Sequence, residues 1–170
     1  MAKYLKLFMV ALFATMSFAL TSCGDDDDDE QDGFGGISLS TIIVNGKPYK
    51  AFPSADFWGM NGWSPSSKAG NFYIQLVDDD STIFSFWYNS TKMPSKGDDF
   101  SKMSLEMSYN QIIGTADYKY ISGSAKITED TGSGSDRYIT IDFDDLTMSN
   151  GQQTYTFKGK LKMNFENYDN

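Results

Sequence analysis

Histidine is absent from the 170 residues, and cysteine occurs once, as Cys23. Without imidazole, the commonest general base near neutral pH is missing, and the Ser-His and Cys-His pairs and imidazole metal sites fall away with it. The remaining hydrolytic route is a carboxylate pair, in which one acid protonates a leaving oxygen while the other attacks or activates water. Asp142, Asp144 and Asp145 are the candidates. Asp142 and Asp144 share one face of an expected strand, where period-2 acids toward solvent are ordinary. Asp130-Thr131-Gly132-Ser133-Gly134-Ser135-Asp136 carries oxygen ligands and glycines that suit Ca²⁺. It lacks the alternating acids and the downstream bidentate Glu of a tight calcium loop, so it reads as a hairpin tip. The sequence therefore predicts no catalytic residue, no metal site and no cofactor, and the chain is read as a non-enzyme.

Aromatic side chains hold more information. Phe57-Trp58-Gly59-Met60-Asn61-Gly62-Trp63 places two indoles in a segment too glycine-rich for a regular strand. Trp58 and Trp63 either present flat apolar surface with an N–H donor, suited to sugar rings or a protein partner, or plug one end of the fold. A second group lies in two apolar runs, Asn71–Val77 and Thr82–Tyr88. Pairing Val77 with Thr82 puts Phe72, Ile74, Leu76, Ile83 and Trp87 on one face and Tyr73, Gln75, Phe84, Phe86 and Tyr88 on the other. The first set suits a core; the second is an aromatic face that is either covered by another layer or open to a ligand. The candidate ligand-binding residues are thus Trp58, Trp63, Tyr73, Phe84, Phe86 and Tyr88.

The elements that must position them are strands. Asn45-Gly46 between Thr41–Val44 and Lys47–Tyr49 is a strong hairpin signal, because both central turn residues need positive φ. Pro48 cannot donate to a ladder, which predicts a sheet edge there. Met103–Tyr109 reads as a further strand, and Tyr118–Thr128, Arg137–Leu146 and Gln153–Phe165 as a long meander, with turns at Thr131–Gly134 and Ser149–Gly151. The last strand alternates cleanly, with Tyr155, Phe157, Gly159, Leu161, Met163 and Phe165 facing the core and Lys158, Lys160 and Lys162 facing water. Gly123 and Ala125 are read as small inward positions where layers approach closely. No helical stripe follows the first 36 residues. The expected fold is all-β: an antiparallel sandwich or a lipocalin-like barrel of about eight strands in one domain, residues 37–170.

The first residues follow the order of a secretory signal: Lys3 and Lys6, an apolar run from Leu7 to Leu20, then small residues before Cys23. That run would span about 21 Å as a helix, short of a ~30 Å hydrocarbon core. Leu20-Thr21-Ser22-Cys23 resembles the bacterial lipobox, which implies removal of residues 1–22 and lipidation of Cys23. Multiple acyl chains on one residue exceed the two-signal threshold for lasting membrane attachment. With its one cysteine lipidated, the domain is left without a disulfide. Residues 23–36 then form an expected disordered tether, in which seven acidic residues between Asp25 and Asp32 repel one another. An acidic run directly behind a lipobox cysteine is similar to the export signal of surface lipoproteins in the Bacteroidota. The lipobox, tether, Asn-Gly hairpin and closing strands together resemble the small all-β surface lipoproteins of that phylum, the β part in general pattern alone. Asp80-Ser81-Thr82 also resembles an O-glycosylation sequon of such proteins.

Of 14 basic and 23 acidic residues, the part from Gly33 onward keeps 12 and 16, a net charge of −4. A mildly acidic domain repels phosphate backbones, so nucleic acid is not an expected partner. The expected function is a lipid-anchored, surface-exposed outer-membrane binding module for an extracellular glycan or an envelope protein. The alternatives are a lipocalin-like carrier of an apolar small molecule, which an unfilled barrel interior would favour, and a structural or adhesive envelope component.

Overall fold

The computed structural model describes residues 33–34, 37–52, 61–77, 82–110 and 116–168, all within one compact unit, Asp32–Asn170. Cys23, the signal and acidic tether, Trp58 and the turn at Asp78–Ser81 lie outside the described residues. Two short strands, β1 (Gly33–Phe34) and β2 (Ile37–Ser38), pair only with each other. The remaining strands are β3 (Ser40–Val44), β4 (Lys47–Phe52), β5 (Gly62–Ser64), β6 (Ala69–Leu76), β7 (Ile83–Asn89), β8 (Glu106–Tyr109), β9 (Tyr118–Thr131), β10 (Tyr138–Ser149), β11 (Thr154–Asn164) and β12 (Glu166–Asn167).

Eight strands close an antiparallel barrel in the order β3, β4, β6, β7, β8, β9, β10, β11, with β11 bonding back to β3. The choice that spacing left open, sandwich or barrel, is thus a lipocalin-like barrel. β6 gives one edge to two neighbours: β4 pairs with Gln75 and Leu76, and β5 with Ala69–Asn71. β12 then lies parallel to β5, outside the ring.

Asn45 and Gly46 form the predicted turn, with φ of 52° and 79°. Asn45 also stitches the hairpin to β11: its Oδ1 accepts from the Thr156 N–H at 2.8 Å and its Nδ2 donates to the Thr154 carbonyl at 3.2 Å. The expectation of a sheet edge at Pro48 is corrected. Pro48 sits within the closed barrel, opposite Ile43. It is tolerated because β6 joins β4 only at Ala51 and Phe52, so no ladder reaches the proline nitrogen from that side.

The alternation read along the last strand is observed. Phe157, Leu161, Met163 and Phe165 are buried and Lys158, Lys160 and Lys162 exposed. Ala125 is buried opposite Phe143, whereas Gly123 is exposed and plays a different part from the one expected. Its φ is +84°, and a Cβ there would meet the Asp145 carbonyl oxygen at 2.2 Å. Glycine is needed where the β9–β10 ladder slips register between Asp144 and Thr147.

The pairing of β6 with β7 differs from the sequence reading by one residue. Gln75 lies opposite Ile83, Ile74 opposite Phe84 and Phe72 opposite Phe86, because the connection is one residue longer than four. A one-residue slip moves a whole strand to the other face. Phe84, Phe86 and Tyr88 therefore join Phe72, Ile74 and Leu76 inside the barrel, and Ile83 and Trp87 turn outward.

In the eight-strand ring β6 stands opposite β10 and β7 opposite β11, and aromatic rings meet across that diameter. Phe86 and Phe84 reach Phe157 at 5.4 and 4.9 Å, both edge-on, and Phe72 reaches Phe143 at 6.4 Å. Phe72 and Phe86 stack at 4.7 Å on neighbouring strands. Each fully buried ring contributes about 1.5–3 kcal/mol through burial, and each good ring pair about 0.5–1.5 kcal/mol more. The middle of the barrel is a packed core.

Candidate functional site

The two ends of this barrel are built differently. At the end where β7 finishes and β8 starts, the connecting segment crosses the opening as a strap. Gly97 donates to the Ile127 carbonyl at 2.8 Å, Ile127 donates back to Asp98 at 2.9 Å, and Asp99 Oδ1 accepts from Ala125 N–H at 3.1 Å. The strap inserts Phe100, fully buried, against Tyr88 at 4.7 Å and Phe72 at 5.0 Å. Trp63 closes the same end, 8% exposed, with its indole N–H on the Ser90 carbonyl at 2.9 Å. Tyr88 is tied there too, its hydroxyl donating to the Gly62 carbonyl at 2.8 Å.

Arg137 latches the strap. Its Nε and Nη2 hold both Asp130 oxygens at 2.9 Å, Nη2 also donates to the Pro94 carbonyl at 2.6 Å, and the guanidinium lies 5.3 Å from the Phe165 ring centre. The guanidinium beside Asp130 holds its carboxyl below the ordinary carboxylate range, against a smaller opposing effect of burial. Beside this latch is a cleft of 650 Å³ lined by Met93, Asp130, the Gly132–Ser135 loop, Arg137, Glu166 and Asn167. Two carboxylates thus share one concavity. Asp130 is a poor proton donor, because Arg137 and the Lys96 N–H occupy its oxygens. The same engagement takes Asp130 away from the calcium arrangement considered for this loop. Among the described residues, no group of three or more His, Cys, Asp or Glu side chains is placed to hold a metal ion.

The opposite end carries tyrosines. β8 ends, and β9 and β11 begin, so that Tyr109, Tyr118 and Tyr155 gather over Phe84. Tyr109 and Tyr155 stack at 5.2 Å with their planes 28° apart, and Tyr118 packs on Tyr155 at 5.5 Å. Phe84 meets Tyr155 edge-on at 5.1 Å from below. Tyr118 donates its hydroxyl to Gln153 Oε1 at 2.7 Å. Burial, with the neighbouring phenols of Tyr109 and Tyr118, pushes the Tyr155 hydroxyl up to about 12. Burial likewise raises Tyr118. Tyr118 is buried, whereas Tyr109 and Tyr155 are half-buried, so two stacked rings at this end touch solvent. Such rings offer flat apolar surface with a polar rim, the composition that serves sugar and peptide recognition.

Of the six residues singled out in sequence, Phe84 floors this tyrosine cluster. Phe86 lies in the packed middle, while Tyr88 and Trp63 lie at the strapped end, and all three are buried. Tyr73 faces outward from β6 yet is only 7% exposed; its backbone N–H donates to Asn61 Oδ1 at 2.9 Å, and burial raises its phenol pKa. Trp58 lies outside the described residues, and the structure does not bring the other five to one surface. Asp142 and Asp144 lie on the outer wall, where Lys160 approaches Asp142 at 3.9 Å, and Lys158 approaches Asp145 at 3.7 Å. They are spread along β10, which has no basic residue of its own, beside the lysines of β11. The tyrosine cluster was not singled out in sequence, because its members stand at the ends of three different strands. No family model, no curated protein and no solved structure matches the chain.

Proposed function

We propose that the chain is a lipid-anchored bacterial envelope lipoprotein, held to the outer membrane through Cys23 and exposed at the cell surface, whose barrel binds an extracellular glycan without transforming it. The lipobox-like Leu20–Cys23 and the acidic run behind it support the anchor and the location. One observation carries the binding role: Tyr109 and Tyr155 stack as a half-exposed ring pair at the end of the barrel away from the strap, over the buried Phe84. Glycan rings pack their C–H faces on such surfaces and meet the phenol hydroxyls at the rim. A carrier of an apolar molecule would need space that Phe72, Phe86, Phe143 and Phe157 fill.

Two measurements test the reading. The full chain in detergent is titrated against a glycan panel, beside Tyr109→Ala with Tyr155→Ala and, separately, Trp58→Ala. Saturable binding lost in the tyrosine variant supports it; binding lost only with Trp58 moves the site to that loop, and absence of binding to any glycan turns the search to an envelope protein partner. Cys23→Ala should abolish incorporation of a labelled fatty acid, and protease added to intact cells should cut the domain. Full protection would sink the surface location.

A further inference from the structure

The cleft at the strapped end has a chemistry that the tyrosine reading leaves unused. Its Arg137 spends Nε and Nη2 on Asp130 and the Pro94 carbonyl, so its charge is balanced by Asp130, while Nη1 is buried without a hydrogen-bond partner among the described residues. Glu166 is different. Its backbone is fixed, with the N–H on the Asn61 carbonyl at 2.9 Å and β12 paired to β5, while the residue is half-buried and its carboxylate has no ion pair among the described residues. One uncompensated negative charge therefore stands in a concavity, where partial exclusion of water strengthens its attraction for a cation. Around it, Ser133 makes no capping bond with its hydroxyl, and Asn164 holds the loop through the Ser135 carbonyl at 2.6 Å, with Ser133 and Ser135 both lining the cleft. Met93 supplies an apolar patch. At 650 Å³ the cleft falls within the range of small-ligand sites.

We infer that this cleft is a second binding site, independent of the tyrosine end, for a protonated amine carried on a hydroxyl-rich molecule such as an amino sugar. The ammonium pairs with Glu166, the hydroxyls meet Ser133, Ser135 and Asn167, and the apolar face rests on Met93.

The test uses the full chain in detergent, followed by amide NMR shifts at pH 6, where the amine is protonated. Glucosamine is the probe, with N-acetylglucosamine and glucose as uncharged comparisons. Glucosamine should shift Gly132–Arg137, Glu166 and Asn167, and bind more weakly as salt is raised. In Glu166→Gln the affinity should fall by about fivefold, the upper end for an exposed ion pair. Uncharged sugars that bind there as well as glucosamine, an unchanged affinity in Glu166→Gln, or shifts confined to Tyr109, Tyr118 and Tyr155 would each overturn the inference. The comparison of charged and uncharged sugars needs no variant, so it stands even where the substitution unfolds the chain. Failure at the tyrosine end would leave these shifts untouched.

Discussion

Replacing Phe157 with alanine removes the ring on which the two sides of the barrel meet. Phe157 is fully buried and receives Phe84 and Phe86 edge-on, so the variant loses the buried ring and these two close ring contacts, besides longer ones to Phe143 and Tyr155. Phe→Ala in a close-packed core costs about 3–5 kcal/mol, of which the two ring pairs account for about 1–3 kcal/mol. For a domain of this length that corresponds to a fall in Tm of about 10–20 °C. Chemical denaturation of the variant beside wild type measures it, with Lys158→Ala as the neighbour that points to solvent. Lys158 has only an exposed ion pair at 3.7 Å, so its loss should stay within about 1 kcal/mol. A ring lining a hollow calyx already lacks partners on one side and forfeits far less. A cost for Phe157→Ala below roughly 1.5 kcal/mol, or uptake of a long-chain fatty acid by the wild type, would refute the packed interior and return the carrier reading to first place.

Arg137→Met should destabilise the domain by about 1.5–3 kcal/mol, since it leaves Asp130 and the Pro94 carbonyl without their charged donor; thermal unfolding reads this. The same latch makes the strap acid-sensitive. Asp130 and Asp98 both have pKa values lowered in the fold, so their stabilisation is complete above the unfolded carboxylate pKa and is lost as pH falls through the lower folded values. Hydrogen exchange at Gly97 and Ile127 should therefore accelerate, relative to core amides such as Ile141, as pH drops below about 4. Tyr155 works at the other limit: its raised pKa means that stability is present below the unfolded value near 10 and is lost as pH climbs toward about 12. Tyr155→Phe should flatten that alkaline decline. Gly123→Ala should cost more than about 1 kcal/mol by denaturant unfolding, because both its φ and the Asp145 carbonyl oppose a side chain.

Patterns confined to one strand were legible in the sequence. The alternation of Tyr155–Phe165, the Asn45-Gly46 turn and the glycine-containing turns before β10 and β11 follow from local rules, and the structure keeps them. Relations between strands were less so. The face of Phe84, Phe86 and Tyr88 turned on whether the connection after β6 held four residues or five, a distinction that composition does not make. Barrel or sandwich depended on whether β11 returns to β3, a contact between residues more than a hundred positions apart. Tyr109, Tyr118 and Tyr155 each looked like an ordinary strand-end aromatic. Their common signal is a tyrosine beside a turn, read three times at the same end of an up-and-down ladder, and it becomes visible only once strand direction is tracked. Arg137 and Asp130, seven positions apart, flank the Gly-Ser turn and could have been read as a pair across that hairpin.

Closure of the barrel rests on a short seam. β3 and β11 share only three register pairs, Ile42 with Gly159, Ile43 with Lys158 and Val44 with Phe157, strengthened by the Asn45 side chain on Thr154 and Thr156. Nearly the whole domain lies between those partners in sequence, so the seam is the most expensive loop to close and one of the last contacts a folding chain can make. A chain emerging amino-terminus first would hold the β3–β4 hairpin ready while β11 is still to come, with the open edge of β3 available to any other extended segment. Refolding should therefore be slow for a domain of this size, and its yield should fall with concentration until the two ends of the sequence find each other.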